Sequence, residues 1–443
     1  MARVAAQLTN FTAGELSPRL DGRNDLAKYS AGCSTVENMV IYPHGAAARR
    51  PGTQYVASVK TPANKTRLIP FEFSTEQTYI LEFGNQYIRF YRNNGQIESG
   101  GSAYEISTPY LTAELFDINF AQSAAVMYIT HPNHQTRKLS RTGHTSWTLT
   151  AVEFTNGPFL DSNITTTTFT PASAAVGTGV NVTASAITGI NSGTGFQTTD
   201  VGRQIRIGDG YGIITARTNT TVVVVTITTA FASASANADW SLGAFSTTTG
   251  FPSCVSFFEQ RLVFAATINN PQTVYFSKSG DYENMDADIG GTVADDDAII
   301  YTIASNQVNA IRFLTSARTL IIGTAGGEFV VSGGGDNNAV TPTNIMIKKQ
   351  SNHGAANVDA ISVGNATLFL QRAKRKIREL AYNFDVDGYI APDLTILAEH
   401  ITEGNVVEMA YQEEPLAIIW CVRGDGQLIA LTYQREQEVV AWH

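Results

Sequence analysis

The chain of 443 residues has few cysteines, no surplus of positive charge and no long apolar run. Cys33, Cys254 and Cys421 are far apart, which argues against a disulfide framework and predicts buried free thiols. A net charge of −9 argues against tight duplex-DNA binding, because lysine and arginine supply most of that affinity. No run of about 18 apolar residues could span a bilayer, and the N-terminus lacks a signal-peptide core. We therefore expect synthesis in a cytoplasm.

Signatures of common enzyme classes are also missing. The chain has no Ser/His/Asp signature, phosphate-cradling glycine loop or zinc-protease motif, so no catalytic residue and no cofactor is predicted. His131, His134 and His144 lie close together in the sequence, and two histidines at such spacing could bind zinc. With no cysteine or third acidic ligand nearby, and Pro132 and Asn133 favouring a turn, we predict a hairpin loop and no metal.

What the sequence does contain is a repeated pattern of strand, turn and strand. Its clearest copy, Cys254–Met285, has an apolar run at Arg261–Ala266, a polar break and a second β-rich run at Thr273–Ser277. Five further central strands begin at Tyr79, Val126, Thr319, Leu368 and Ile418. All but one of the successive intervals are close to about 50 residues, the length of a four-stranded propeller blade. We predict a mainly β fold, a β-propeller of about six blades; the alternative is a β-rich chain with evenly spaced hairpins.

The one long interval, between Val126 and Arg261, indicates an insertion. Residues 158–245 contain only seven charged residues and are dominated by Thr, Ala, Gly and Ser. Strand patterns within this segment, such as Val222–Thr228, argue against disorder. We predict an inserted small all-β domain at 158–245, between two propeller parts at 66–157 and 246–443.

The first 65 residues do not follow the blade pattern. From Asp25 onward, apolar residues fall at helical spacing and Pro43 sets a limit, which predicts one helix. The residues at this spacing are Leu26, Tyr29, Cys33, Val36 and Val40. We interpret residues 1–65 as a docking platform outside the propeller.

Two charged segments are candidates for contact surfaces. The acidic stretch Asp281–Asp297 has seven carboxylates that could bind a cation: Asp281, Glu283, Asp286, Asp288, Asp295, Asp296 and Asp297. Its order DADIGG at 286–291 does not match an EF-hand loop, so a solvated loop or subunit contact is favoured over calcium. In the basic run 372–378, strand alternation would place four cations on one face. These are Arg372, Lys374, Lys376 and Arg378. They could contact phosphates, but a solvated face or a salt-bridge strip against an acidic neighbouring subunit is favoured.

A set of short motifs at the N-terminus and in the second half of the chain resembles a known family. The motifs are Asn10–Leu20, Gly22–Arg23 with Tyr29, Arg49–Thr53, Glu259–Ala265, Ser279–Asn284, Asp295–Ile299, Leu320–Thr324 with Gly327–Phe329, and Tyr433–His443. As a set they resemble the tail nozzle proteins of short-tailed bacteriophages, relatives of the T7-type tail tubular protein B. The likeness is weak across the insert. Family members usually continue past the closing motif, so we expect the distal tip to be reduced or missing.

The resemblance implies a homohexameric ring in the virion tail, a structural conduit and gate for genome ejection without enzymatic activity. Its implied partners are the adaptor ring, tail fibres, and double-stranded DNA that passes without sequence-specific binding; no membrane-spanning segment is implied. The hypothesised adaptor or subunit interface is Phe11, Glu15, Leu16, Ser17, Arg19, Arg49 and Arg50. Asp295–Asp297 and the four alternating basic residues are predicted to make a subunit contact or to face the channel. The alternatives are a tail-associated propeller glycoside hydrolase and a host-carbohydrate-binding adhesin.

Overall fold

The computed structural model describes residues 8–288, 291–305, 309–335 and 338–443. The chain forms two compact units, one of Met1–Tyr55, Arg312–Val330 and Lys348–His443, the other of Val56–Ile311 and Val331–Ile347. Helices among the described residues are short 3-10 turns at Pro18–Leu20, Ala27–Ala31, Thr112–Asp117, Asn191–Gly193, Thr198–Asp200, Phe384–Val386 and Arg435–Gln437. In this part of the chain, therefore, no helix has the length and apolar character needed to cross a membrane.

The first three blade sheets are antiparallel and lie in the unit that begins at Val56. Blade 1 comprises Arg67–Ser74, Gln77–Gly84, Tyr87–Arg92 and Glu105–Ser107, with Gly95–Gln96 paired to its third strand; a small ribbon, Glu98–Ser99 with Ser102–Ala103, follows. Blade 2 comprises Asn119–Ser123, Val126–His131, His134–Gly143 and Ser146–Ala151. Blade 3 comprises Cys254–Phe258, Arg261–Ala265, Thr273–Phe276 and Ile299–Thr302.

Two more four-stranded sheets follow along the chain, and after them four strands of a six-stranded sheet that also contains Gly14–Glu15 and Gly32–Cys33. Blade 4 comprises Ile311–Ser316, Leu320–Thr324, Gly327–Ser332 and Met346–Ser351; blade 5 comprises Ile361–Val363, Ala366–Leu370, Ile377–Asn383 and Gly388–Ile390; blade 6 comprises Val406–Gln412, Ile418–Arg423, Leu428–Gln434 and Val439–Trp442. The described residues thus form six successive blade sheets, and the fold is a β-propeller. Each predicted central strand is the second strand of its blade, and in blades 3, 4 and 5 every residue of that strand is buried.

The insert forms one six-stranded sheet with its own core. Its strands in spatial order are Phe169–Pro171, Gly177–Ala184, Val222–Thr229, Gly210–Arg217, Gln204–Ile207 and Trp240–Leu242. In this core the ring of Phe169 stacks on Trp240 at a centroid distance of 4.0 Å. The insert is therefore all-β as predicted, whereas the exact domain boundaries remain a prediction.

The N-terminal segment does not form the long helix that its apolar spacing predicts. The helix is limited to the 3-10 turn Ala27–Ala31, and the chain continues as strands Gly32–Cys33, Met39–Ile41 and Ala47–Arg49. The apolar side chains instead pack on blade 6, where Val36 and Ile41 form a buried cluster with Val439 and Ala441. Contact with this blade, rather than an amphipathic helix, explains the apolar spacing.

All three cysteines are free thiols. Cys254 and Cys421 are buried in blades 3 and 6, as predicted, whereas Cys33 is partly exposed, so the prediction that it is buried is wrong. Complete burial raises the pKa of the Cys421 thiol to about 12, so it stays protonated and acts as a small apolar side chain.

Candidate functional site

The N-terminal signature is attached to blade 6 through a short strand, Gly14–Glu15. Gly14 pairs in parallel with Gly32 on one side and with Trp442 on the other. Its φ is +70°, and a Cβ atom at this position would lie 2.4 Å from the backbone nitrogen of Trp442. Only glycine fits here, because both the left-handed backbone and the close approach exclude a side chain.

The residues after Gly14 are held by this same compact unit. The Glu15 carboxylate accepts a hydrogen bond from the Val36 backbone N–H at 2.7 Å and pairs with His400 Nε2 at 2.9 Å. Leu16 and Ser17 are buried, and the Ser17 backbone N–H donates to the Leu397 carbonyl at 2.7 Å. Of the predicted interface residues, these three therefore contact their own chain and act as supports.

The arginines of the predicted interface point outward. Arg19 is 81% exposed and makes one salt bridge, to Glu399 at 2.5 Å. Arg49 is exposed at the end of the Ala47–Arg49 strand, and Arg50 is partly exposed. Phe11 is partly buried against the apolar cluster on blade 6. The signature thus has a buried supporting half and an exposed cationic half.

A charged cleft of about 350 Å³ joins this signature to the basic run. Its lining residues are Arg19, Gln371, Ala373, Arg375, Lys376, Glu399 and Glu403. Arg375 pairs with Glu403 at 3.2 Å, as Arg19 does with Glu399. The cleft brings together two segments that are more than 350 residues apart in the chain, a proximity that no sequence motif indicated.

The prediction that alternation would place the basic run on one strand face is wrong. Residues 371–376 form the turn between Ala366–Leu370 and Ile377–Asn383, and Lys374 has a left-handed φ of +60°. The Gln371 N–H donates to the Lys376 carbonyl at 2.8 Å and closes this turn. Side chains in a turn do not alternate between two faces as those of a strand do.

Two other cations of this run, Lys376 and Arg378, have partners within the chain. Lys376 pairs with Asp393 at 2.8 Å. Burial opposes ionisation of Asp393, but hydrogen bonds from Lys376 and Thr395 outweigh it and lower the Asp393 pKa. Arg378 donates to the Gln371 side chain at 2.8 Å and to the Ala391 carbonyl at 2.6 Å. Arg372 remains exposed. Lys376 and Arg378 are thus largely used within the chain.

The acidic loop of blade 3 is organised by a buried arginine that the sequence indicated only as part of a strand. The Arg261 guanidinium is 2% exposed and donates to four backbone carbonyls. The acceptors are Ser277, Asp295, Asp296 and Asp297, at 2.6 to 3.3 Å. Burial lowers the pKa of Arg261. Backbone oxygens of the loop therefore anchor it to Arg261.

The three aspartates of this loop differ in exposure. Asp297 is buried, its carboxylate pairs with Lys278 at 2.8 Å, and it accepts a hydrogen bond from the Ala294 N–H at 2.7 Å. Burial opposes ionisation of Asp297, but these two contacts prevail and lower its pKa. Asp295 and Asp296 are exposed. Of the three, only these two can offer carboxylates to a partner.

His131 and His134 lie on a hairpin, as predicted, but the third side chain near them is Glu114 and not His144. His131 is the last residue of one strand, His134 is the first residue of the next, and the two residues pair across the hairpin. One ligand atom from each, together with one from Glu114, lie within 4.8 Å of one another. His144 lies elsewhere, against Tyr79. The sequence search missed Glu114 because it lies in a separate element, the 3-10 turn Thr112–Asp117.

Comparisons with known proteins give only distant structural similarities, which carry no argument about function. No protein-family model and no curated protein matches the chain. The Neurospora crassa Pan2 WD40 domain is 10% identical, with 71% of this chain and 74% of that one covered and a TM-score of 0.31. The β-propeller domain of Cps50 (Swd1) from Myceliophteria thermophila is 8% identical, with 80% and 79% covered and a TM-score of 0.38. Hsv2p of Kluyveromyces lactis is 9% identical, with 85% and 96% covered and a TM-score of 0.33.

Proposed function

We propose that this chain is a structural subunit of the tail nozzle of a short-tailed bacteriophage. In this role six copies form a ring that docks on the adaptor ring, and the genome leaves through the ring. The chain performs no catalysis in this proposal. Its work is to assemble and to enclose a passage for DNA.

The observation that carries the proposal is the placement of the N-terminal signature. Its backbone and its buried residues Leu16 and Ser17 are fixed on blade 6 and its neighbouring loops, whereas Arg19 and Arg49 remain exposed. A docking motif needs this division, because a fixed support limits the entropy lost on binding. Exposed arginines recognise carboxylates on a partner, which suits an acidic adaptor surface.

The distribution of charge also supports a passage for DNA. The chain has a net charge of −9, and two cations of the basic run, Arg375 and Lys376, are paired with Glu403 and Asp393. Unpaired lysines and arginines would bind phosphates and slow a moving duplex. A wall with few free cations lets DNA pass without holding it.

Electron microscopy tests the proposal directly. The purified chain is imaged alone and after mixing with a purified portal and adaptor assembly from a phage that encodes it. We expect a six-fold ring that extends the adaptor, in at least the mixed sample. Particles that remain monomeric with the adaptor, or that cleave a host polysaccharide, would contradict the proposal.

A double charge-reversal variant tests whether adaptor binding can be lost while the fold is kept. We expect the double variant Arg19→Glu with Arg49→Glu to keep its circular dichroism spectrum and to lose adaptor binding, because like charges then face each other. The control is Lys65→Glu with Lys348→Glu, which makes the same change in net charge at two exposed lysines outside the signature. This control should still bind.

A further inference from the structure

Three side chains from two separate elements converge beside blade 2. Glu114 lies in the 3-10 turn Thr112–Asp117, before the first strand of the blade. His131 and His134 flank the tight turn between the second and third strands. One ligand atom from each side chain lies within 4.8 Å of the other two. Two imidazoles and one carboxylate are a known ligand set for transition metals.

Two of the three groups are already in contact. The Glu114 carboxylate accepts a hydrogen bond from the Leu111 backbone N–H at 2.9 Å, and one of its oxygens lies 2.9 Å from His134 Nε2. The ring centroids of His131 and His134 are 4.9 Å apart. Carboxylate and neutral imidazole are the forms that bind metal ions.

An unpaired buried atom is the second and independent observation. His131 is 1% exposed, and its Nδ1 accepts a hydrogen bond from the Asn133 N–H at 3.1 Å. The proton of the neutral ring is therefore on Nε2, and this buried atom has no hydrogen-bond partner among the described residues. Buried polar atoms without a partner are rare in native proteins, and a bound water or ion is a common way to satisfy them.

We propose that Glu114, His131 and His134 bind one divalent transition-metal ion, with Zn²⁺ as the reference ion. Each imidazole binds through Nε2 and moves its proton to Nδ1, so no net proton is released from neutral rings. His131 then gives up the hydrogen bond from Asn133, and the metal replaces the contact between His134 and Glu114. Ligand atoms around tetrahedral zinc are about 3.3 Å apart for bonds near 2.05 Å, so the three groups must close by roughly 1.5 Å at most.

The site would be a structural metal site rather than a catalytic centre. Glu114 belongs to the connection between blades 1 and 2, and both histidines belong to one hairpin of blade 2. A bound ion would join the connection to the hairpin and stabilise the folded form in proportion to its occupancy. Imidazole ligands favour Zn²⁺, Cu²⁺ or Ni²⁺ over Mg²⁺ or Ca²⁺. This inference is independent of the proposed tail function.

Metal titration of the intact chain tests the site. The protein is stripped with a chelator and titrated with ZnCl₂ by calorimetry and with CoCl₂ by absorption spectroscopy. We expect one ion per chain, a thermal midpoint that rises with zinc concentration, and the visible bands of tetrahedral cobalt. Absence of saturable binding would overturn the proposal.

Glu114 and His134 are less buried than His131, so substitutions there test metal binding with less risk of unfolding the chain. Glu114→Gln and His134→Ala should lower zinc affinity at least about 100-fold, since even supporting residues around a metal contribute 10- to 100-fold. His144→Ala is the matched control, because His144 is exposed and contacts Tyr79 and Arg92 instead. Equal zinc affinity in Glu114→Gln and the unchanged chain would assign the binding to surface histidines and overturn the proposal.

Discussion

The acidic loop of blade 3 and the N-terminal signature use arginine in opposite ways. In blade 3, Arg261 is 2% exposed and its guanidinium is surrounded by backbone carbonyls. In the signature, Arg19 is 81% exposed and has one salt bridge. A buried and fully hydrogen-bonded guanidinium fixes a loop, because any replacement leaves its acceptors unpaired. An exposed guanidinium contributes little to folding and remains available to a partner.

Both segments contribute motifs to the same family resemblance, so motif membership alone does not distinguish support from contact. Burial makes the distinction. In the signature the division runs within a few residues, since Leu16 and Ser17 are buried and Arg19 is not. Loss of stability should therefore follow burial, and loss of assembly should follow exposure.

Removing the buried guanidinium should give the largest effect. Arg261→Met keeps the length of the side chain but leaves several buried carbonyls without a donor, at a cost of roughly 4 kcal/mol in the free energy of unfolding. Denaturant unfolding followed by tryptophan fluorescence measures it. Lys278→Met is the control, because Lys278 is more exposed and pairs with carboxylates only. Equal losses in the two variants would mean that loop charge, and not carbonyl binding, holds the acidic loop.

Acidification should destabilise the two regions in different pH ranges. Burial lowers the pKa of His443 to about 4 from its usual 6.5. Between these values the unfolded chain binds a proton that the folded chain does not, so stability falls as pH drops from 6.5 to 4, by on the order of 3 kcal/mol. The lowered pKa of Asp297 acts in a different window. The contribution of Asp297 to the free energy of unfolding is present above pH 3.8 and is lost only below that pH.

The His443 contribution is measured by difference. Unfolding curves at pH 7 and pH 4.5 are compared between the unchanged chain and His443→Asn, which cannot titrate in this range. We expect a shallower pH dependence in the variant. The effect should extend to the N-terminal strand Met39–Ile41, because Thr432, which contacts His443, also donates to the Ile41 carbonyl. An unchanged slope would show that His443 is not the group that responds.

Glycine substitutions test whether the signature depends on its close contact with blade 6. Gly14→Ala should cost about 2 to 3 kcal/mol locally, since it combines a left-handed φ with a Cβ 2.4 Å from Trp442. Gly22→Ala has a similar φ of +78° and nothing within 4 Å of the added Cβ, so it should cost only about 1 kcal/mol. Amide hydrogen exchange at Gly32–Cys33 reports the pairing. Similar exchange rates in both variants would contradict a role for the close contact.

The sequence predicts the propeller strands because their signal is local. Each central strand is an apolar run bounded by turn residues, and buried second strands such as Leu320–Thr324 need that composition. The insert is equally visible, since its low charge and its β-branched strand Val222–Thr229 both lie within one segment. These features do not depend on contacts with distant parts of the chain.

The failures have a common physical cause in contacts between distant residues. Apolar spacing around Val36 predicts a helix, but edge pairing and packing on blade 6 decide the backbone instead. The turn at 371–376 contains no Gly, Pro or Asn, so only its backbone hydrogen bonds and the left-handed Lys374 identify it. Glu114 has no sequence link to His131, since the connection and the hairpin meet only in the folded chain.

Substitution of Arg19 should change the stability of the fold least and the assembly with the adaptor most. Arg19→Ala removes one exposed salt bridge to Glu399, which contributes less than about 1 kcal/mol because solvent screens both charges. Unfolding should therefore be nearly unchanged, whereas adaptor binding measured by biolayer interferometry should weaken at least about tenfold, the loss of one well-placed charged contact. Glu399→Gln breaks the same salt bridge and leaves the cation in place. If the salt bridge only shapes the surface, both variants should weaken binding equally; if Arg19 itself contacts the adaptor, Glu399→Gln should bind as well as the unchanged chain.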